Sequence, residues 1–299
     1  MSRSPQSKVT VPGIRARKAS SGRPEAGDRI ITLTAYDYPT ARALDQAGVD
    51  ILLVGDSLGM VVLGHETTLP VTLEVMLHHT AAVARARPRA LVVADMPFLS
   101  YHTGTSDAVR NAGRFIQEAG AEAVKVEGGT ARLDVVAALV RADIPVMGHI
   151  GLTPQSVHTL GGYRVQGKSV GMLDALLADA RGLEEAGAFS IVLEGMPAEV
   201  GGLLTRTLSV PTIGIGAGPD CDGQVLVTHD LLGFGETTPP RFVRRYADVS
   251  RTITDAAAAF AGDVKAGRFP SEPESYPCPQ ELQQEIARRL SAGLVGKAR

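Results

Sequence analysis

Six ionisable side chains follow or sit within short apolar runs of the chain: Asp56, Asp95, Lys125, Glu127, His149 and Glu194. Acids that converge repel one another, and burying them costs free energy unless a cation offsets the charge. An all-oxygen donor set suits a hard cation such as magnesium, which takes few carboxylates and keeps positions for water and substrate. A single Asp behind a strand more often forms a turn or caps a helix, but four acids and a histidine in equivalent positions are harder to explain that way. Lys125 stands two residues before Glu127, so both point to the same face of a strand. Two readings stay open for it: a structural Lys–Glu pair, or a cation for a substrate carboxylate. His78 and His79 are adjacent, cannot share one ion from a helix, and are expected on the surface.

The elements that must hold these groups recur along the chain. Gln46-Ala47-Gly48 leads into Val49–Asp56, Glu118-Ala119-Gly120 into Ala121–Glu127, and Glu185-Ala186-Gly187 into Ala188–Glu194. Each reads as a helix end, a terminating glycine, a strand apolar on both faces and a carboxylate. Further strands are expected over 29–34, 90–94, 145–148, 211–215 and 224–227. Amphipathic helical patterns lie between them, for example over 107–119 and 173–186. About eight alternating units in a chain of this length predict a (β/α)8 barrel, with its site at the carboxyl ends of the strands. A doubly wound open sheet is the structural rival, but the early strands lack a dinucleotide glycine fingerprint. Gly214-Ile215-Gly216-Ala217-Gly218 runs into Pro219, so it reads as a tight strand-end loop. Gly161-Gly162-Tyr163 reads as a glycine turn or a mobile cover. The expected organisation is a disordered basic tail over 1–27, a catalytic barrel over 28–270 and a partly helical extension over 271–299, with a last helix over 279–290.

Composition narrows the function classes. Of 299 residues, 44% are hydrophobic and 21% charged, and the net charge of −2 favours neither nucleic acid nor an anionic membrane. There is no tryptophan, which argues against a stacking platform for single strands. Cys221 and Cys278 fit neither a zinc pattern nor a disulfide framework. No apolar stretch is long enough to span a bilayer, and a cytoplasmic location is expected. The first 24 residues hold six basic residues and no acid; an organelle transit peptide would look similar.

Longer motifs carry a resemblance. Thr34–Tyr38, Val54–Met60, Gly64–Thr72, Ala94–Phe98, Val124–Gly129, Gly148–Ser156 and Gly214–Gly218 with Asp222-Gly223-Gln224 resemble the ketopantoate hydroxymethyltransferase family over about residues 28–270. The resemblance implies a (β/α)8 TIM barrel of the phosphoenolpyruvate mutase/isocitrate lyase type. It implies transfer of a hydroxymethyl group from 5,10-methylenetetrahydrofolate to 3-methyl-2-oxobutanoate, giving 2-dehydropantoate for pantothenate and coenzyme A synthesis. It further implies one Mg2+ per subunit at Asp56, Asp95 and Glu127. The keto acid would lie against the metal-holding Asp56 and Asp95, with Ser57, Lys125 and His149 as further contacts. Glu194 would be the proton acceptor, forming a metal-stabilised enolate, its basicity raised by burial. A homodecamer of two five-membered rings is also implied. Two rivals remain: a lyase or phosphonate mutase of the same superfamily, for which neither cysteine is well placed, and a non-catalytic binding or assembly protein, against which the intact acidic set argues.

Overall fold

Eight parallel strands close into a barrel in sequence order: β1 (Ile30–Thr34), β2 (Ile51–Val54), β3 (Leu91–Asp95), β4 (Ala123–Glu127), β5 (Val146–Gly151), β6 (Ser190–Glu194), β7 (Thr212–Ile215) and β8 (Gly223–Leu226), with β8 pairing back onto β1. The computed structural model describes residues 7–18, 27–235 and 239–293.

Strand alternation sorts the apolar residues into two layers. Ile51, Leu53, Leu91, Val93, Ala123, Met147, Val192, Ile213 and Val225 fill the barrel interior. Their neighbours Leu52, Val54, Val92, Ala94, Val124, Val126, Ile191 and Leu193 pack in the larger core that the surrounding helices complete. This two-sided burial is why the strands read as continuous apolar runs. Position parity then fixes the site. Asp95 continues the inward series of Leu91 and Val93, Lys125 and Glu127 that of Ala123, His149 that of Met147, and Glu194 that of Val192. The register sets Asp95 beside Lys125 and Glu127 beside His149.

The helices between strands begin and end as their sequences dictate. Asp37 accepts a 2.8 Å hydrogen bond from Thr40 N at the start of Tyr38–Gln46, and Ser169 accepts one from Met172 N at the start of Val170–Glu185. The glycines of the repeated unit, Gly48, Gly120 and Gly187, all take positive φ just past their helices, as helix termination requires.

Two boundaries differ from the expected organisation. Residues 7–18 are no disordered tail: Val11–Arg15 is a helical turn, Ile14 is completely buried, and Val9 and Val11 pack beside it on the interior layer. The dense positive charge masks this apolar spacing. Residues 1–6 and 19–26 of the expected tail lie outside the described residues. The chain also divides into two compact units, Met1–Ala247 and Asp248–Arg299, so the barrel unit ends before residue 270. The second unit holds the helices Val249–Lys265 and Gln280–Ser291, neither with a buried residue. No helix among the described residues is long and apolar enough to cross a membrane.

Candidate active site

At the carboxyl ends of the strands the inward series changes from apolar to charged. Lys125 stands at the centre. Its Nζ lies 3.1 Å from Asp95 Oδ1, 3.1 Å from His149 Nδ1 and 3.5 Å from Glu127 Oε1. His149 reaches in two directions, with Nδ1 3.3 Å from Glu127 Oε1 and Nε2 3.1 Å from Glu194 Oε2. Asp56, in the loop after β2, donates its backbone N–H to Asp95 Oδ2 at 3.0 Å. Ser57 follows, its hydroxyl 2.9 Å from that of Tyr36. Thus Asp56, Ser57, Asp95, Lys125, Glu127, His149 and Glu194 gather at one mouth. All are buried except Ser57 and Glu194, and the Glu194 side chain is 15% exposed. Glu194 is thus largely, though not completely, buried.

Three residues outside the sequence-derived set complete the rim. Gln155, in a 3-10 turn Pro154–Ser156, donates its backbone N–H to Glu127 Oε2 at 3.0 Å and its amide to Asp56 Oδ2 at 2.8 Å. The Tyr101 hydroxyl donates to Gln155 Oε1 at 2.6 Å. Tyr36 is held from behind by His79, whose Nδ1 lies 2.7 Å from the Tyr36 carbonyl. His79 is consequently half-buried, whereas its neighbour His78 is exposed as expected. A neutral side chain whose partners lie far away in sequence gives no signal of its own; Gln155 and Tyr36 stood inside the resembling motifs but without a role. Gly161 takes φ of +67° and ends the short helix Val157–Leu160, as the glycine-turn reading requires.

The electrostatics are those of an overcrowded acid site. Burial, then the neighbouring Glu127 and Asp95 carboxylates, push the Asp56 carboxyl well above its usual range. Burial also raises Asp95, against the opposing pull of Lys125. For Glu127 burial acts upward too, but Lys125 and His149 outweigh it and hold the group at about 2. Burial and Lys125 pull His149 down, yet Glu127 and Glu194 prevail and raise it to about 9. Burial pulls Lys125 down as well, and the surrounding Asp95, Glu127 and Asp56 carboxylates more than reverse it. Four carboxylates thus face two cationic partners, Lys125 and His149, an imbalance toward negative charge when all are ionised.

A divalent cation would offset that imbalance, and the donor chemistry suits one. Asp95 Oδ1 is fully buried without a well-formed hydrogen bond. Among the described residues no three His, Cys, Asp or Glu side chains are drawn together tightly enough to hold an ion unaided, because Glu127 turns to Lys125, His149 and the Gln155 N–H. Two aspartates with positions left for water and substrate match magnesium better than a closed structural cage does. Cys221 is completely buried and contributes no nucleophile at this mouth.

A charged rim at the carboxyl ends of a closed parallel barrel defines the (β/α)8 class of fold, with its site where such barrels carry theirs. Among solved structures the fold matches phosphonopyruvate hydrolase with a TM-score of 0.58 at 14% identity, covering 98% of this chain and 100% of that one. It also matches 2,3-dimethylmalate lyase with a TM-score of 0.54 at 17% identity, covering 99% of this chain and 100% of that one. Within that class, the chain belongs to the ketopantoate hydroxymethyltransferase family, whose model matches residues 8–272. The 3-methyl-2-oxobutanoate hydroxymethyltransferase of Geobacter sulfurreducens is 58% identical over 84% of this chain and 94% of its own length. That of Koribacter versatilis is 56% identical over 87% and 88%, and that of Carboxydothermus hydrogenoformans 53% identical over 93% and 99%.

Proposed function

We propose that this enzyme transfers a hydroxymethyl group from 5,10-methylenetetrahydrofolate to 3-methyl-2-oxobutanoate, giving 2-dehydropantoate. The observation that carries the reading is the rim itself: the buried acidic pair Asp56 and Asp95, an ammonium fixed beside them, and a partly exposed carboxylate at the same mouth, in a chain of this family. Asp56 and Asp95 would hold Mg2+, with Glu127 nearby to set the charge of Lys125 and His149. When bound, the ion supplies Lewis-acid polarisation of the keto acid's carbonyl.

The chain's own groups do the rest. Lys125 Nζ and the Ser57 hydroxyl hold the substrate carboxylate and so aim C3 at Glu194. Glu194 takes the C3 proton, and the electron pair left on C3 forms the new bond to the one-carbon unit, whose bonds to the folate nitrogens break to release tetrahydrofolate while water supplies the hydroxyl. His149, beside both Lys125 and Glu194, is placed to donate a hydrogen bond to the oxygen on which negative charge develops. The barrel walls below the rim are apolar and exclude water. Cytoplasmic location and assembly as a homodecamer belong to the same proposal, supported by family membership.

The test is deuterium exchange at C3 of the keto acid without folate. Glu194→Gln should retain binding of Mg2+ and keto acid and lose exchange by at least about 100-fold, the usual span for a general base. Normal exchange in that variant would remove Glu194 from its role. Turnover with both substrates should vanish with a chelator and return with Mg2+.

A further inference from the structure

Gln155 is uncharged and 5% exposed, yet every polar group of its side chain is committed. Nε2 donates to Asp56 Oδ2 at 2.8 Å and to the Met96 carbonyl at 3.0 Å, and Oε1 accepts from the Tyr101 hydroxyl at 2.6 Å. Its backbone N–H donates to Glu127 Oε2 at 3.0 Å. Met96 in turn donates its N–H to the Lys125 carbonyl at 3.0 Å, and the Tyr101 hydroxyl lies 3.3 Å from the Glu127 carbonyl. One residue after β5 therefore ties together the loop after β2 and the ends of β3 and β4.

The amide has only one workable orientation. Rotated by half a turn, Oε1 would face a carboxylate oxygen and a carbonyl with no proton between them. So Asp56 Oδ2 meets an N–H donor, and the carboxylate cannot swing without leaving a buried Gln155 amide hydrogen unpaired, a loss of about 1–3 kcal/mol. Asp56 Oδ1 carries no protein hydrogen bond among the described residues. The two oxygens of one carboxylate are thus assigned different tasks by a neutral neighbour.

We propose that Gln155 is a positioning residue for the cation: it locks Asp56 so that a single oxygen, Oδ1, is offered to the ion. The proposal rests on the reading of Asp56 as a cation ligand. A glutamine serves better than an acid here, because another carboxylate would add to the negative excess, and better than a lysine, which would compete with the ion for Asp56.

The experiment measures Mn2+ binding by electron paramagnetic resonance and Mg2+ binding by calorimetry on the full chain, with kcat and KM at low and saturating Mg2+. Gln155→Met keeps the length and removes the hydrogen bonds. It should weaken ion affinity at least about tenfold, the usual lower bound for loss of a partner behind a ligand. Its kcat should recover in part at saturating Mg2+, which a merely structural defect would not allow. Tyr101→Phe frees Oε1 only, and should weaken ion affinity in the same direction but less. If Gln155→Met fails to fold by circular dichroism, Tyr101→Phe alone decides. Unchanged ion affinity in folded variants, with or without a lower Tm, overturns the assignment. Wild-type protein that binds neither ion would instead sink the cation reading, so the two failures are distinguishable.

Discussion

The rim residues work as a set because no one of them is stable alone in its charge state. Asp95 is pulled upward by burial and downward by Lys125; removing its charge should harm the ion and the lysine together. Asp95→Asn is expected to weaken Mg2+-dependent keto-acid binding at least about tenfold, measured by calorimetry; unchanged binding would remove Asp95 from the ion. His149 gives a pH signature in the chelator-treated protein. Its folded value of about 9 lies above the ordinary 6.5, so its protonated form stabilises the fold fully below about pH 6.5, and that contribution is lost as pH rises through 9. The metal-free Tm should fall by several degrees between pH 7 and pH 10, and His149→Gln should flatten that part of the profile. A slope that survives in His149→Gln would assign it to another group. Glu127 behaves oppositely: held at about 2, it stabilises the fold above its ordinary 4.5, and this is lost only as pH falls through about 2.

At the level of elements, the strand ends depend on close backbone approaches that a side chain would block. Gly151 ends β5 at φ +96°, and a Cβ there would stand 2.3 Å from the Glu194 carbonyl oxygen. Leu152 N also donates to that carbonyl at 2.9 Å, so the β5 and β6 ends are fastened at the proposed base. Gly151→Ala should cost about 1–3 kcal/mol from backbone strain alone and displace Glu194, lowering C3 exchange more than Mg2+ affinity. Thermal unfolding and exchange measured together check it, and equal loss of both would point to general disorder of the rim. The strands were legible in the sequence because two-sided burial writes an apolar run and because a glycine ended the preceding helix at 48, 120 and 187. The charged rim residues were legible because they interrupt those runs. Gln155, Tyr101 and His79 were not, since a neutral amide, a phenol and a helical histidine become site residues only through partners brought close by closure of the barrel. Gln155 and Asp56 are 99 positions apart.

Closure also leaves the barrel's other end to be covered, and the segment at 7–18 does this with apolar and charged contacts of unequal weight. Val9 N donates to the Arg89 carbonyl, Lys8 pairs with Glu122, Arg17 with Asp50 at 2.8 Å, and Lys18 with Asp222 at 2.9 Å. Each partner stands just before the start of β2, β3, β4 or β8, at the end remote from the rim. Lys8 and Glu122 are 41% and 35% exposed, and such a pair is worth at most about 1 kcal/mol. Ile14 is fully buried against the interior layer, and truncating it leaves a cavity that the rigid strands cannot close. Ile14→Ala should therefore cost about 2–5 kcal/mol, roughly 2–4 °C in Tm for each kcal/mol, whereas Lys8→Ala should barely register. Five-residue strands separate this plug from the rim by roughly 15 Å, so Mg2+ affinity and C3 exchange at 20 °C, roughly room temperature, should be those of the wild type in both variants. A Tm unchanged by Ile14→Ala would show that the basic contacts, and not the buried isoleucine, hold the segment in place.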